Sequence, residues 1–187
     1  MEKITFVIPS RNNLEFLKLA YKSIKDLKNN HEILVLNDAS TDKTIEWIGS
    51  LNDENLIVYD NPGPERIGIV GMFDKGIEMA RTKIIFAFHA DMVAGPNLDT
   101  EILKYLEKGT VVSATRVEPP LHPPGPEKII KNFGVEAEEF NFNSWTDWCR
   151  NSNEQTKFNG KLTNGIFAPW CMYKEDFLAV GGHDELF

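Results

Sequence analysis

The sequence predicts an α/β domain built around a mostly parallel sheet. Three observations carry that reading. Short apolar runs alternate with stretches whose apolar residues recur at helical spacing, giving the order β-α-β-α-β-α-β-α through residue 108. The runs are nearly continuous rather than alternating, as strands buried on both faces are. Two of them end in acidic segments, Asn37-Asp38-Ala39-Ser40-Thr41-Asp42 and His89-Ala90-Asp91. Open parallel sheets bind ligands at the carboxyl ends of their strands, near the point where strand order reverses.

Ile4 to Ile8, closed by Pro9, is the first predicted strand. Asn12 or Asn13 caps a helix whose Leu14, Leu17, Tyr21, Ile24 and Leu27 share one face. Ile33 to Leu36 is the second strand. Ser40, Thr41 and Asp42 supply the next cap, and Ile45, Ile48 and Leu51 the next helical face. Leu56 to Tyr59 is a third strand, followed by the turn-rich Asn61-Pro62-Gly63-Pro64. Val70 to Ala80 reads as a helix and Lys83 to Phe88 as a strand. Pro96 then opens a helix with Leu98, Ile102 and Leu106 facing inward.

The pattern changes after Gly109. Thr110 to Val117 reads as a further strand. Residues 118–126 hold five prolines, which suit no regular core element and give a segment expected to act as part of a lid, with His122 in solvent. Residues 127–160 are polar and aromatic, and Ile166 to Tyr173 is apolar again and returns to the sheet. The expected organisation is one domain in two parts, a nucleotide-binding half at 1–108 and an acceptor-side half at 109–187.

Composition narrows the function. The chain of 187 residues is 42% hydrophobic and 26% charged, with a net charge of −8. No basic stripe is present, so nucleic acid is not an expected partner. An acidic protein that binds an anionic ligand needs a local remedy, and a divalent cation is the obvious one. Cys149 and Cys171 are too few for a disulfide framework and read as reduced thiols. No apolar run approaches the roughly 20 residues that span a bilayer. The expectation is a cytoplasmic protein without a signal peptide, docked at the inner face of a membrane if at all.

Asp38 sits at a strand tip, where a carboxylate can accept a hydrogen bond from a base imide N–H. Asp42, further into the turn, reads as a helix cap. Asp91 lies just past the fourth strand, where a carboxylate can share Mg²⁺ or Mn²⁺ with substrate phosphates. Together they point to an enzyme that uses a nucleoside-diphosphate donor.

On these residues the chain resembles the inverting, family 2-type glycosyltransferases of the GT-A fold. A Pro-Thr/Ser-x-Asn turn after the first strand is matched by Pro9-Ser10-Arg11-Asn12. An Asp-Asp-x-Ser-x-Asp segment is matched by Asn37 to Asp42, and an Asn-x-Gly-Ile-x-x-Ala helix by Asp74 to Ala80. The Asp-x-Asp metal motif is matched by His89-Ala90-Asp91, with His89 in place of the first aspartate. A Gly-Gly-Phe-Asp-Glu-x-Phe element is matched by Gly181-Gly182-His183-Asp184-Glu185-Leu186-Phe187, with His183 in place of phenylalanine.

The resemblance implies transfer of a sugar, with inversion, from a nucleoside-diphosphate donor, expected to be a UDP-sugar, to a hydroxyl on a glycan, lipid-linked or protein acceptor. It implies a base pocket lined by Pro9, Ser10 and Arg11, with Asp38 on the base, Arg66 near the diphosphate and Ala90 on the donor. Asp91 would hold Mn²⁺ or Mg²⁺, with His89 as a second ligand through a ring nitrogen. Trp170, Asp184 and Glu185 would face the acceptor, with Asp184 also a substitute base. The resemblance also implies an acidic pair beyond the last element. The sequence reaches Phe187 without it, so the acceptor-side half reads as cut short. The alternative is a binding module that keeps the donor pocket without turnover. A polysaccharide-assembly role is the usual context of such enzymes. Trp145 and Trp148 read as packing residues of a small annex.

Overall fold

The computed structural model describes residues 2–121, 123, 125 and 128–184. The expectations for Glu185, His122 and positions 124 and 126 of the proline-rich segment therefore lie outside the described residues.

Four strands and three helices alternate first: β1 (Ile4–Ser10), α1 (Leu14–Lys25), β2 (Glu32–Asp38), α2 (Thr44–Ser50), β3 (Leu56–Asn61), α3 (Ile69–Met79) and β4 (Ile84–Ala87). Then come α4 (Leu98–Leu103), β5 (Val112–Ser113), β6 (Arg116–Glu118), β7 (Lys128–Ile130), α5 (Phe142–Asn151), β8 (Trp170–Tyr173) and α6 (Lys174–Ala179). The main sheet has the order β3-β2-β1-β4-β8-β5. β1, β2, β3 and β4 pair in parallel, while β8 runs antiparallel to both β4 and β5. The fold is thus a mixed α/β domain with a mostly parallel six-stranded sheet, and β5 and β8 from beyond residue 108 complete that sheet.

Continuous apolar strands are explained by helices on both faces. Phe6, Ile8, Ile33, Val35 and Phe86 face α1, α2 and α4 through Leu17, Ile24, Ile48 and Ile102. The alternate residues Val7, Leu34, Leu36 and Ile85 face α3 and α6 through Met72, Phe73, Ile77 and Phe177. α3 lies so close to the sheet that a Cβ at Gly76 would fall 2.4 Å from Val7 and 2.8 Å from Leu36.

The chain leaves β1 for β2 and β3 on one side, then returns to place β4 on the other side of β1. Strand order therefore reverses between β1 and β4. Their carboxyl ends form the crevice where a ligand is expected.

Three expectations need correction. The strand read over Thr110 to Val117 is two strands. β5 pairs with β8, the Ala114 N–H donates to the Pro169 carbonyl at 3.0 Å, and the chain then turns out to pair β6 with β7. The last apolar run pairs only from Trp170, because Pro169 has no N–H to give a ladder. Pro96 precedes α4 rather than opening it, and the N-cap is Asn97 in the left-handed region (φ +65°).

Residues 133–149 form an aromatic annex. Trp145 stacks on Trp148 (5.7 Å, 24°), and Phe133 meets both rings. The Trp145 indole N–H donates to the Ala94 carbonyl at 3.3 Å, which fixes the annex to the turn after β4.

Candidate active site

The site is assembled from four segments at the carboxyl edge of the sheet, the loops after β1, β2 and β3 and the turn after β4. The loops after β1 and β2 are cross-tied. Asn12, at φ +50°, accepts the Thr41 N–H on its side chain (2.7 Å), and its own N–H donates to Ser40 Oγ (3.1 Å). Asp42 caps two helices at once. One carboxylate oxygen accepts from the Thr44 N–H at the start of α2 (3.0 Å), the other from the Leu14 N–H at the start of α1 (3.3 Å). Asp42 is thus the cap the sequence suggests, and it also does for α1 what Asn13, which makes no side-chain cap bond, was expected to do.

Asp38 ends β2 at 4% exposure. The loop between β3 and α3 folds over it. One carboxylate oxygen accepts from Asn61 Nδ2 (2.8 Å) and the Ile67 N–H (2.9 Å), and the other from the Gly68 N–H (2.9 Å). Arg66 Nε stands 3.8 Å away. Burial alone would raise the Asp38 carboxyl pKa, but the bonds from Ile67, Asn61 and Gly68, with the Arg66 charge, outweigh it and hold the group below the usual carboxylate range. Gly68 has φ +86° and ψ 165°, a conformation open essentially to glycine alone, and this turns its N–H onto Asp38 as α3 begins.

A small pocket of about 70 Å³ opens beside Asp38, lined by Pro9, Ser10, Arg11, Asp38, Arg66, Gly68, Ile69 and Met72. Five residues singled out in the sequence therefore meet in one place, although Arg66 is separated from Pro9 by two strands and two helices. The Ser10 hydroxyl is buried and has no hydrogen-bond partner among the described residues. Gly68, Ile69 and Met72 were not anticipated, and the glycine opening a helix after a turn was the available signal. A larger groove of about 710 Å³ continues from Gly68 and Ile69 along α3 past Asp74, Lys75 and Glu78.

His89, Ala90 and Asp91 form the turn just beyond β4. β1 alone separates β4 from β2, so with strands about 4.8 Å apart this turn and Asp38 share one edge about 10 Å from each other. His89 is half-buried against Phe73 (5.5 Å), Ala90 is buried and Asp91 is exposed. Among the described residues no group of three or more histidines, cysteines or carboxylates could hold a metal ion. A cation held by His89 and Asp91 would have two side-chain donors, leaving its other positions to a diphosphate and water rather than to an all-protein cage.

Trp170 is buried at 9% exposure, stacked on Phe177 (5.9 Å, 24°) and against His183 (6.0 Å). It lies beneath the site edge, within the core that backs α3. Asp184 follows His183 on the exposed side of the same segment. Among the described residues no helix is long and apolar enough to cross a membrane.

Comparisons with known proteins agree with this fold. The mannosyltransferase PcManGT from Pyrobaculum calidifontis, solved in complex with GDP-Man and Mn²⁺, is 21% identical with a TM-score of 0.54, over 62% of this chain and 36% of that one. S. aureus TarS 1-349 in complex with UDP is 17% identical with a TM-score of 0.53, over 66% of this chain and 38% of that one. TarS 1-349 in complex with UDP-GlcNAc is 16% identical with a TM-score of 0.53, over 66% and 37%. These likenesses establish a shared fold, and the matched region is well under half of each of those chains. No curated protein sequence matches. The family model for glycosyl transferase family 2 matches residues 5–177, nearly the whole sequence, and the chain belongs to that family.

Proposed function

We propose that this chain binds a UDP-sugar and a divalent cation, and serves transfer of the sugar to a hydroxyl acceptor with inversion. The carrying observation is the hydrogen-bond capacity left on Asp38. An ionised carboxylate has about four lone-pair sites. Three are taken by Asn61, Ile67 and Gly68, two of them on one oxygen. One acceptor site remains, on the oxygen that faces Gly68 and Arg66. Uracil offers a single imide N–H between two carbonyl oxygens. Arg11 and Arg66, whose guanidinium groups can only donate, line the same pocket and complement those carbonyls. Guanine would ask one carboxylate to accept two donors side by side, and cytosine presents an acceptor where the imide would be.

The diphosphate then runs from the pocket toward the turn after β4. There Asp91 and His89 would hold the cation, which when bound neutralises charge on the departing diphosphate. Arg66 lies on the same path. Asp184 stands on the acceptor side. The complexes with UDP and UDP-GlcNAc formed by TarS support the uridine reading, and that of PcManGT with GDP-Man supports guanosine as the second reading. A panel of UDP, GDP, CDP and ADP with Mn²⁺, scored by thermal shift, separates the two. UDP alone should raise the melting temperature, and a larger shift with GDP would overturn the uracil assignment.

A further inference from the structure

We propose that the Arg66 side chain closes the base pocket of the free protein and leaves it only for a nucleotide that carries a diphosphate. This rests on the donor reading above and concerns which uridine ligands the same pocket admits.

The pocket beside Asp38 is about 70 Å³. An engineered cavity that takes one benzene ring has about twice that volume, about 150 Å³. A pyrimidine ring seated on Asp38 therefore needs part of this wall to move. Most of the wall is fixed. Pro9 and Ser10 belong to β1, a strand buried along its whole length. Met72 is buried in the core beneath α3. Asp38 is held by three hydrogen bonds, and one of them fixes Gly68. The exposed wall residues are Arg11, Arg66 and Ile69.

Of these three, Arg66 is the one paired with Asp38. Its Nε lies 3.8 Å from Asp38 Oδ2, the oxygen that accepts from the Gly68 N–H and carries the acceptor site left for uracil. That distance is an ion pair, too long for a hydrogen bond, so charge alone holds the contact. The arginine side chain is 55% exposed and the carboxylate 6%. The backbone on both sides of Arg66 is pinned. The Glu65 carbonyl accepts from Asn61 Nδ2 at 2.9 Å, and the Ile67 N–H donates to Asp38 at 2.9 Å. The guanidinium is thus the part that swings, on a fixed pivot.

A diphosphate gives it somewhere to go. Asp38 already receives three donors, whereas a phosphate oxygen at the pocket mouth is an unshared anion. When UDP enters, the guanidinium passes from Oδ2 to the diphosphate, and its remaining N–H groups still reach a base carbonyl. Uridine brings no anion. It meets Arg66 still paired with Asp38, and binds only the fraction of molecules in which the side chain has swung away. One residue therefore favours the nucleotide and hinders the bare nucleoside.

The test titrates UDP calorimetrically into the wild type and Arg66→Ala with Mn²⁺, at low and high salt, and measures uridine by its competition with UDP. Arg66 is exposed, so the variant should melt as the wild type does. UDP should bind the variant about tenfold or more weakly, the range for a lost hydrogen bond between charged groups. Uridine should bind it about two- to fivefold more tightly, the range of a half-exposed ion pair that no longer has to be broken. Uridine is uncharged, so salt acts on its binding through the pair it displaces. Its affinity for the wild type should rise with salt, and its affinity for Arg66→Ala should not. A merely structural Arg66 would weaken both ligands together. Uridine binding that is weaker, unchanged or undetectable in Arg66→Ala would overturn the inference and leave the UDP site standing, as would a wild-type uridine affinity that does not rise with salt. A folded chain that takes up no UDP would remove the donor reading itself, and this inference with it.

Discussion

Replacing Asp38 with asparagine separates base reading from loop anchoring. In Asp38→Asn the remaining carbonyl oxygen can keep the bonds from Asn61 and Ile67, but an amide NH₂ then faces the Gly68 N–H, donor against donor. One buried backbone donor is left unpaired, which costs about 1–3 kcal/mol. For a chain of this size each kcal/mol lowers the melting temperature by about 2–4 °C, so a drop of about 2–12 °C is expected. The acceptor site offered to the uracil imide becomes a donor at the same time. UDP should bind about 100-fold more weakly, near 2.7 kcal/mol. CDP, whose ring nitrogen accepts, should lose far less or gain. Calorimetric titration of both nucleotides into both proteins checks this. Equal losses for UDP and CDP would refute base reading and leave Asp38 only as the anchor of residues 61–68.

Other outcomes follow from the same geometry. Gly76→Ala should destabilise by about 1–3 kcal/mol through overpacking against Val7 and Leu36, with ordinary UDP binding per folded molecule, as thermal melts would show. Asp91→Ala should abolish the Mn²⁺ dependence of nucleotide binding while leaving the melting temperature of the free protein within a degree or two, since Asp91 is exposed. Asp99 is 1% exposed and accepts from His31 Nε2 (2.9 Å), Asn29 Nδ2 (2.5 Å) and Thr100 Oγ1 (3.2 Å). Burial would raise its pKa, yet these bonds hold it far below the ordinary range. The stability it contributes is therefore complete above its unfolded value of about 3.9 and is lost as pH falls toward the folded value. Asp99→Ala should cost about 3–5 kcal/mol at pH 7 and flatten the acid limb of the stability profile, measured by denaturant titration.

The alternating half of the fold was legible because its signals are local. Leu17, Ile24 and Ile48 recur at helical spacing, and the runs at 4–8 and 33–36 are apolar on both faces because helices cover both. The pocket residues Pro9, Ser10, Arg11, Asp38 and Arg66 came from family resemblance joined to strand-tip position. What escaped depends on distant partners. Thr110 to Val117 is uniformly strand-like, and its break at Ala114 is set by Pro169, 55 positions on. α5 escaped although its signals were local: Phe142, Trp145, Trp148 and Cys149 recur at helical spacing on one face, and the Asn141 side chain caps the Ser144 N–H, but the helix buries no residue fully. The engagement of Asp38 by residues 61–68, and the meeting of Asp74 with His183, are tertiary facts that no window of sequence contains.

Calorimetric titration of UDP into the chain, with and without Mn²⁺, tests the central claim most directly. The account predicts saturable one-to-one binding that tightens with Mn²⁺ in the wild type and is indifferent to it in Asp91→Ala. A folded protein that takes up no UDP in either condition would contradict it.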